Sequence, residues 1–211
     1  LGTLYAAEAA RILMDKREVL DEIARSVRNL TESPLYDYRQ ENSYRPVIGE
    51  GNPDASILFV GEAPGAQEAR TGRPFVGNAG KILDRLLASV DLERQAVYIT
   101  NVVKGRPPGN RDPTAEEIQA YAPFLRRQIE IVRPRVIATL GRFAMNFCLR
   151  EFDLPQQGQK IGDLHGRVLE TEAAYGDVAV VPLYHPAAAF YNRELEDVLG
   201  EDFRVLTRFV E

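Results

Sequence analysis

Four short apolar runs, SILFVGEA (56–63), AVYITNVV (96–103), RVIATLG (135–141) and VAVVPLYH (178–185), restrict the fold of this chain more than any other feature. Their apolar residues are continuous rather than alternating, the pattern of strands covered on both faces, as in a parallel sheet. Room for a helix separates successive runs, and three of the intervening stretches are amphipathic: AGKILDRLLASV, TAEEIQAYAPFLRRQIEIV and RFAMNFCLREF. Parallel strands require such crossovers. The pattern therefore predicts an α/β fold, a three-layer α/β/α sandwich around a central, mainly parallel four-stranded sheet. Asp112, Pro113 and Thr114, with Glu117 three residues beyond the threonine, predict a capped helix start.

The first 54 residues follow a different pattern. Ile12, Val19, Leu20, Ile23, Val27 and Leu30 recur at helical spacing in a charged background, which predicts helix over about 3–30 with a break near Asp15. The turn-rich stretch 31–55 is expected to be an extended loop, and 156–177 a loop with a β-excursion before the last strand. A chain of 211 residues is expected to form a single domain, 1–211, with the N-terminal region 1–54 packing on the α/β core. The lone cysteine, Cys148, excludes an internal disulfide and a cysteine cage for a metal, and its helical setting makes it a buried small hydrophobe. No apolar run approaches the ~18 residues of a membrane span, and no signal-type segment opens the chain, so no membrane partner and a cytoplasmic location are expected. A net charge of -5 argues against a surface that binds nucleic acid everywhere, yet 101–135 holds seven basic residues against four acidic ones.

Open parallel sheets place ligands at the carboxyl ends of their strands. Glu62, Asn101 and His185 each fall within a residue or two of such an end. The glycines between Gly61 and Gly80 match neither dinucleotide nor P-loop spacing, and Gly80-Lys81 is followed by Ile82, which offers no hydroxyl to magnesium. Gly61, Ala63, Pro64 and Gly65 suit instead a stiff wall whose backbone approaches a flat ligand. Phe75 is compatible with a core aromatic and with a ring on which an extruded base stacks. The Asn101 amide, with an acceptor and two donors, can read a base edge or close its strand. Lys104, Arg106 and Arg111 lie in KGRPPGNR, a cationic rigid turn suited to phosphate contact or simply solvated. Lys104 reads as solvated rather than as an activated amine. After His185 come Pro186, Ala187, Ala188, Ala189, Phe190 and Tyr191, small residues that allow close approach and end in an apolar wedge. His165 reads as structural or solvated.

With these residues placed, the sequence resembles the uracil-DNA glycosylase superfamily, most closely its iron-sulfur branch, family 4. The matching stretches are GEAPGAQEARTGRPFVGNAG, YITNVVKGRPPGNRDPTAEE, RPRVIATLGRFA and VVPLYHPAAA, and the similarity runs from about Ser33 to near Tyr191. The resemblance implies a monomeric enzyme that flips uracil out of DNA and hydrolyses its N-glycosidic bond, leaving an abasic site for base excision repair. It makes Glu62 the carboxylate of the first motif, Gly61 to Gly65; Phe75 the ring that stacks on uracil; Asn101 the amide that bonds its edge; and His185 the group that reaches the glycosidic region. Glu68 matches an acidic position without an assigned role. Lys104, Arg106, Arg111, Pro186, Ala187, Ala189 and Phe190 would meet DNA, with Ala189 and Phe190 standing where relatives usually carry a leucine wedge.

The four cluster cysteines of that branch correspond here to Leu30, Ser33, Gly105 and Tyr121. None offers a thiolate, so no iron-sulfur cluster and no other cofactor is expected. Leu30 and Tyr121 are expected to pack near one another in the vacated space. The loop GRPPGNRDP lacks the histidine through which a related branch traps DNA covalently, so trapping is not expected. The alternatives are a uracil-DNA binding module with little turnover, a glycosylase for other deaminated bases such as hypoxanthine, and, more distantly, a nucleotide-binding α/β protein.

Overall fold

The computed structural model describes residues 16–190, 192 and 194–210. Its elements are α1 (Lys16–Arg28), α2 (Tyr36–Glu41), β1 (Glu50–Gly51), β2 (Ile57–Gly61), α3 (Ala66–Thr71), α4 (Asn78–Ala88), β3 (Tyr98–Asn101), α5 (Ala115–Val132), β4 (Val136–Leu140), α6 (Arg142–Glu151), α7 (Ile161–Leu164), β5 (Leu169–Ala173), β6 (Gly176–Leu183) and α8 (Glu194–Arg204). The sheet order is β1-β3-β2-β4-β6-β5. The four apolar runs form its parallel centre, β3-β2-β4-β6. Two antiparallel edges extend the predicted four strands to six among the described residues: the two-residue β1 beside β3, and β5, the expected excursion, which folds back on β6. Neither edge carries a continuous apolar run. The five residues of β5 alternate between buried or half-buried and exposed, as an edge facing water on one side requires.

The central strands are continuous in apolar residues because both faces are covered. Leu58 and Val60 of β2 point into one core with α1, α5 and α6, while Ile57 and Phe59 point into a second core with α4 and α8. Leu20, Ile23 and Val27 of α1 bury the predicted helical stripe against the first core, whereas Ile12, the break near Asp15 and Tyr191 lie outside the described residues. Thr114 caps α5 as expected: its hydroxyl accepts from the Glu117 N–H, and the Glu117 carboxylate accepts from the Thr114 N–H. Cys148 is fully buried and free, its thiol pKa pushed up by burial. His165 is a structural pin, with Nδ1 2.8 Å from Asp202 Oδ2 and its ring against Tyr184. Among the described residues no helix is long and apolar enough to cross a membrane.

Leu30, Ser33, Gly105 and Tyr121 gather beneath the loop that follows β3. The Ser33 hydroxyl donates to Tyr121 Oη at 2.9 Å, and the Ser33 N–H donates to the Leu30 carbonyl. Half-buried Leu30 packs on the apolar core that contains Tyr121. A Cβ at Gly105 would lie 2.9 Å from Tyr121 Oη and 3.2 Å from Leu35, so the phenol ring and Leu35 fill the space. These residues do not fit an iron-sulfur cluster, having neither thiolate ligands nor room for the inorganic core.

Candidate active site

Register brings the site together. Gly61 pairs with Asn101 and Leu140 with Leu183, so the carboxyl ends of β2, β3, β4 and β6 emerge along one rim of the sheet. Parallel pairing continues past the strands, the Val103 N–H donating to the Glu62 carbonyl at 3.0 Å, which fixes Glu62 relative to Asn101. A cavity of about 460 Å³ opens at this rim, lined by Glu62, Ala63, Pro64, Gly65, Phe75, Asn101, Arg111, His185 and Ala187 among others. This volume is ordinary for a small-ligand site.

The glycines serve the protein's own side chains. A Cβ on Gly61 would lie 2.3 Å from Asn101 Oδ1 and 2.7 Å from the Phe75 ring, so Gly61 stands behind the cavity and lets both groups close on it. Phe75 has φ +48°, an uncommon conformation for an aromatic residue, and costs on the order of 1–3 kcal/mol. Three contacts hold it there. Gly80 packs so closely that a Cβ would meet the Phe75 carbonyl oxygen at 1.9 Å. Glu68 Oε1 accepts from the N–H groups of Val76 and Gly77 at 3.0 and 2.7 Å, capping α4. Arg94 Nη2 donates to the Pro74 carbonyl at 2.6 Å and pairs with Asp84 and Glu50. The Phe75 and His185 rings lie 5.8 Å apart between centroids.

The electrostatics separate the two titratable groups. Burial pushes the His185 imidazole down to about 4, against the opposing Glu68 carboxylate, so the ring is neutral near pH 7. Its Nδ1 accepts from the Ala187 N–H at 3.2 Å, which places the ring proton on Nε2. Glu62 is raised above the usual carboxylate range, first by burial and then by Asp112, with Arg142 opposing. Arg142 and Asp112 are ion-paired at 2.5 Å. Asn101 is buried, and its Oδ1 has no hydrogen-bond partner among the described residues. A buried amide acceptor without a partner is uncommon in a folded protein and marks this residue of the cavity wall for attention.

The predicted DNA contacts divide. Arg111 lines the cavity, held by the Glu117 carboxylate at 2.5 and 2.9 Å. Arg106 turns toward Tyr44 and Asn110. Pro186 and Ala189 are buried, Ala187 lines the cavity, and Phe190 is 53 % exposed. Lys104 departs from expectation. It is fully enclosed and donates to Thr100 Oγ1, the Asn101 carbonyl and Gln128 Oε1 at 2.6–2.7 Å, so no phosphate can reach it. Burial drives its pKa well down. The arginines and prolines that follow Lys104 in sequence predict a solvated side chain, but Gln128 and the Ile48 segment enclose it from elsewhere in the chain. Glu68, Asn78, Ala79, Pro107 and Asn110 also line the cavity without having been singled out for it. Only Glu68 carried a signal, as the acid of the glycine-rich loop.

The family described as the Uracil DNA glycosylase superfamily matches residues 48–206. The type-4 uracil-DNA glycosylase of Archaeoglobus fulgidus is 46% identical over 187 residues, covering 89% of this chain and 91% of the relative. That of Thermotoga maritima is 39% identical over 200 residues, covering 93% and 97%. A type-5 uracil-DNA glycosylase of Pyrobaculum aerophilum is 35% identical over 178 residues, covering 77% and 75%. With most of its length matched and the strand-end residues sharing one cavity, the chain belongs to the uracil-DNA glycosylase superfamily.

Proposed function

We propose that this chain removes uracil from DNA by hydrolysing the N-glycosidic bond, acting as a monofunctional glycosylase without an iron-sulfur cluster. The observation that carries the reading is the meeting of Phe75, Asn101, His185 and Glu62 in one cavity built from a single chain. Uracil in a duplex is shielded, so the nucleotide must first rotate out, at a cost of a few kcal/mol. Contacts by Arg111 and by the turn from Pro186 to Phe190 offset that cost, with exposed Phe190 as the apolar wedge. The extruded base stacks on Phe75. Asn101 accepts from uracil N3–H through its unpartnered Oδ1 and donates to O4 through Nδ2. Cytosine presents the opposite order at those positions and leaves the buried amide unsatisfied.

Bond cleavage sends the electron pair of the N1–C1′ bond to the base and leaves an oxocarbenium-like sugar. Neutral His185 donates through Nε2–H to the uracil oxygen that gains charge, a fixed donor that requires no proton transfer beforehand. Glu62 as carboxylate stabilises the sugar cation and orients the water that adds to C1′. The water loses a proton as the abasic sugar forms, and the departing anion gains one.

The decisive experiment incubates the protein with a single-uracil oligonucleotide and cleaves abasic sites with alkali. Strand scission should appear with wild type, and single-turnover rates should fall ~100-fold or more in Glu62→Ala and in His185→Ala. Uracil-DNA binding without scission would identify a binding module, and equal rates in all three proteins would remove both residues from the chemistry.

A further inference from the structure

Lys104 is a fully buried ionisable group that the mechanism leaves unused. Lys104 Nζ donates to the Asn101 carbonyl oxygen at 2.6 Å, to Gln128 Oε1 at 2.6 Å and to Thr100 Oγ1 at 2.7 Å. Each partner is constrained to accept. The Thr100 hydroxyl directs its own proton to the Ile48 carbonyl at 2.6 Å, and the Gln128 amide is oriented by its Nε2–H bond to the same carbonyl at 2.9 Å. A backbone carbonyl can only accept. Three acceptors match the three N–H bonds of an ammonium, whereas a neutral amine would turn its lone pair toward one of them. Burial alone would drive the proton off, and this matched set opposes it. No ion pair neutralises Lys104 among the described residues, all three of its partners being neutral.

We propose that Lys104 is a positioning residue for base release: its ammonium fixes the Asn101 end of β3 and directs an unneutralised positive potential, through Asn101, at the negative charge that develops on the departing base. The inference rests on the uracil reading and extends it to a residue that does not touch the base. Asn101 links the two, its backbone oxygen on the ammonium and its amide on the cavity wall. A charge without a counter-ion in a water-poor interior acts over several ångström and needs no reorganisation during the reaction.

A lysine that served only the fold would affect every substrate alike, so the test varies the leaving group. Single-turnover rates are measured on matched oligonucleotides carrying uracil or fluorouracil, whose less basic anion needs less help to depart. Lys104→Met removes the charge. Gln128→Glu keeps the lysine but sets a carboxylate against it, and it carries the comparison if the methionine variant fails to fold. Each variant should lose ~10-fold or more on uracil and distinctly less on fluorouracil. Equal fractional losses on the two bases, or an unchanged uracil rate in Gln128→Glu, overturn the proposal. A wild-type protein inert on both bases overturns the uracil reading itself, and this inference with it.

Discussion

Glu62 and His185 stand just past the carboxyl ends of β2 and β6, the strands on either side of β4, and their surroundings shift their titrations in opposite directions. The Glu62 pKa is raised above 4.5, and the ionised form is the one assigned to the sugar. Activity should therefore fall with decreasing pH through that elevated value. Asp112→Asn removes a like charge and frees Arg142, so the acid limb should move to lower pH; Arg142→Gln should move it higher. Single-turnover rates across pH check this, and a limb unmoved in both variants would detach it from Glu62. His185, lowered to about 4, should give no limb near its ordinary 6.5. By linkage, its buried neutral ring contributes full stability above pH 6.5, lost as pH falls toward about 4. Glu62, Asn101 and His185 were legible in the sequence because strand ends are legible. Lys104 was not: its burial depends on Gln128 and Ile48, which no local pattern joins to it.

The loop between β2 and α4 shows how an element can be held in strain. Phe75 remains at φ +48° because Glu68 caps α4 just beyond it and Arg94 anchors Pro74 just before it. Glu68→Ala removes two charge-assisted bonds to the Val76 and Gly77 N–H groups, one of them at the start of a helix. It should lower unfolding free energy by ~2 kcal/mol in denaturant titration, and uracil excision should slow as the stacking ring loses its fixed position. Unchanged stability would show that packing at Gly80 and the Arg94 bond to Pro74 secure the loop without Glu68. That glycines here meant close approach was readable from composition. That they make room for Asn101, Phe75 and the Glu68 carboxylate, rather than only for a ligand, required coordinates.

Across the whole molecule, the Ser33–Tyr121 bond, Leu30 and Leu35 bind the N-terminal region to the loop after β3, at the positions where the resemblance placed cluster ligands. Protein purified anaerobically should carry no stoichiometric iron and no visible absorbance, and Tyr121→Phe should cost ~1 kcal/mol of stability. Iron bound in proportion to protein would refute the cluster-free reading. The sequence by itself determined the parallel α/β centre and the strand ends at which chemistry could lie, because both follow from periodicity and order along the chain. The two edge strands were less accessible, β1 being too short to leave a pattern and β5 alternating weakly at the surface. Tertiary structure alone decided which side chains meet, since the Gly61–Asn101 register and the enclosure of Lys104 join residues remote in sequence. Hydrogen bonding and close packing choose those partners in space, and neither leaves a local signature.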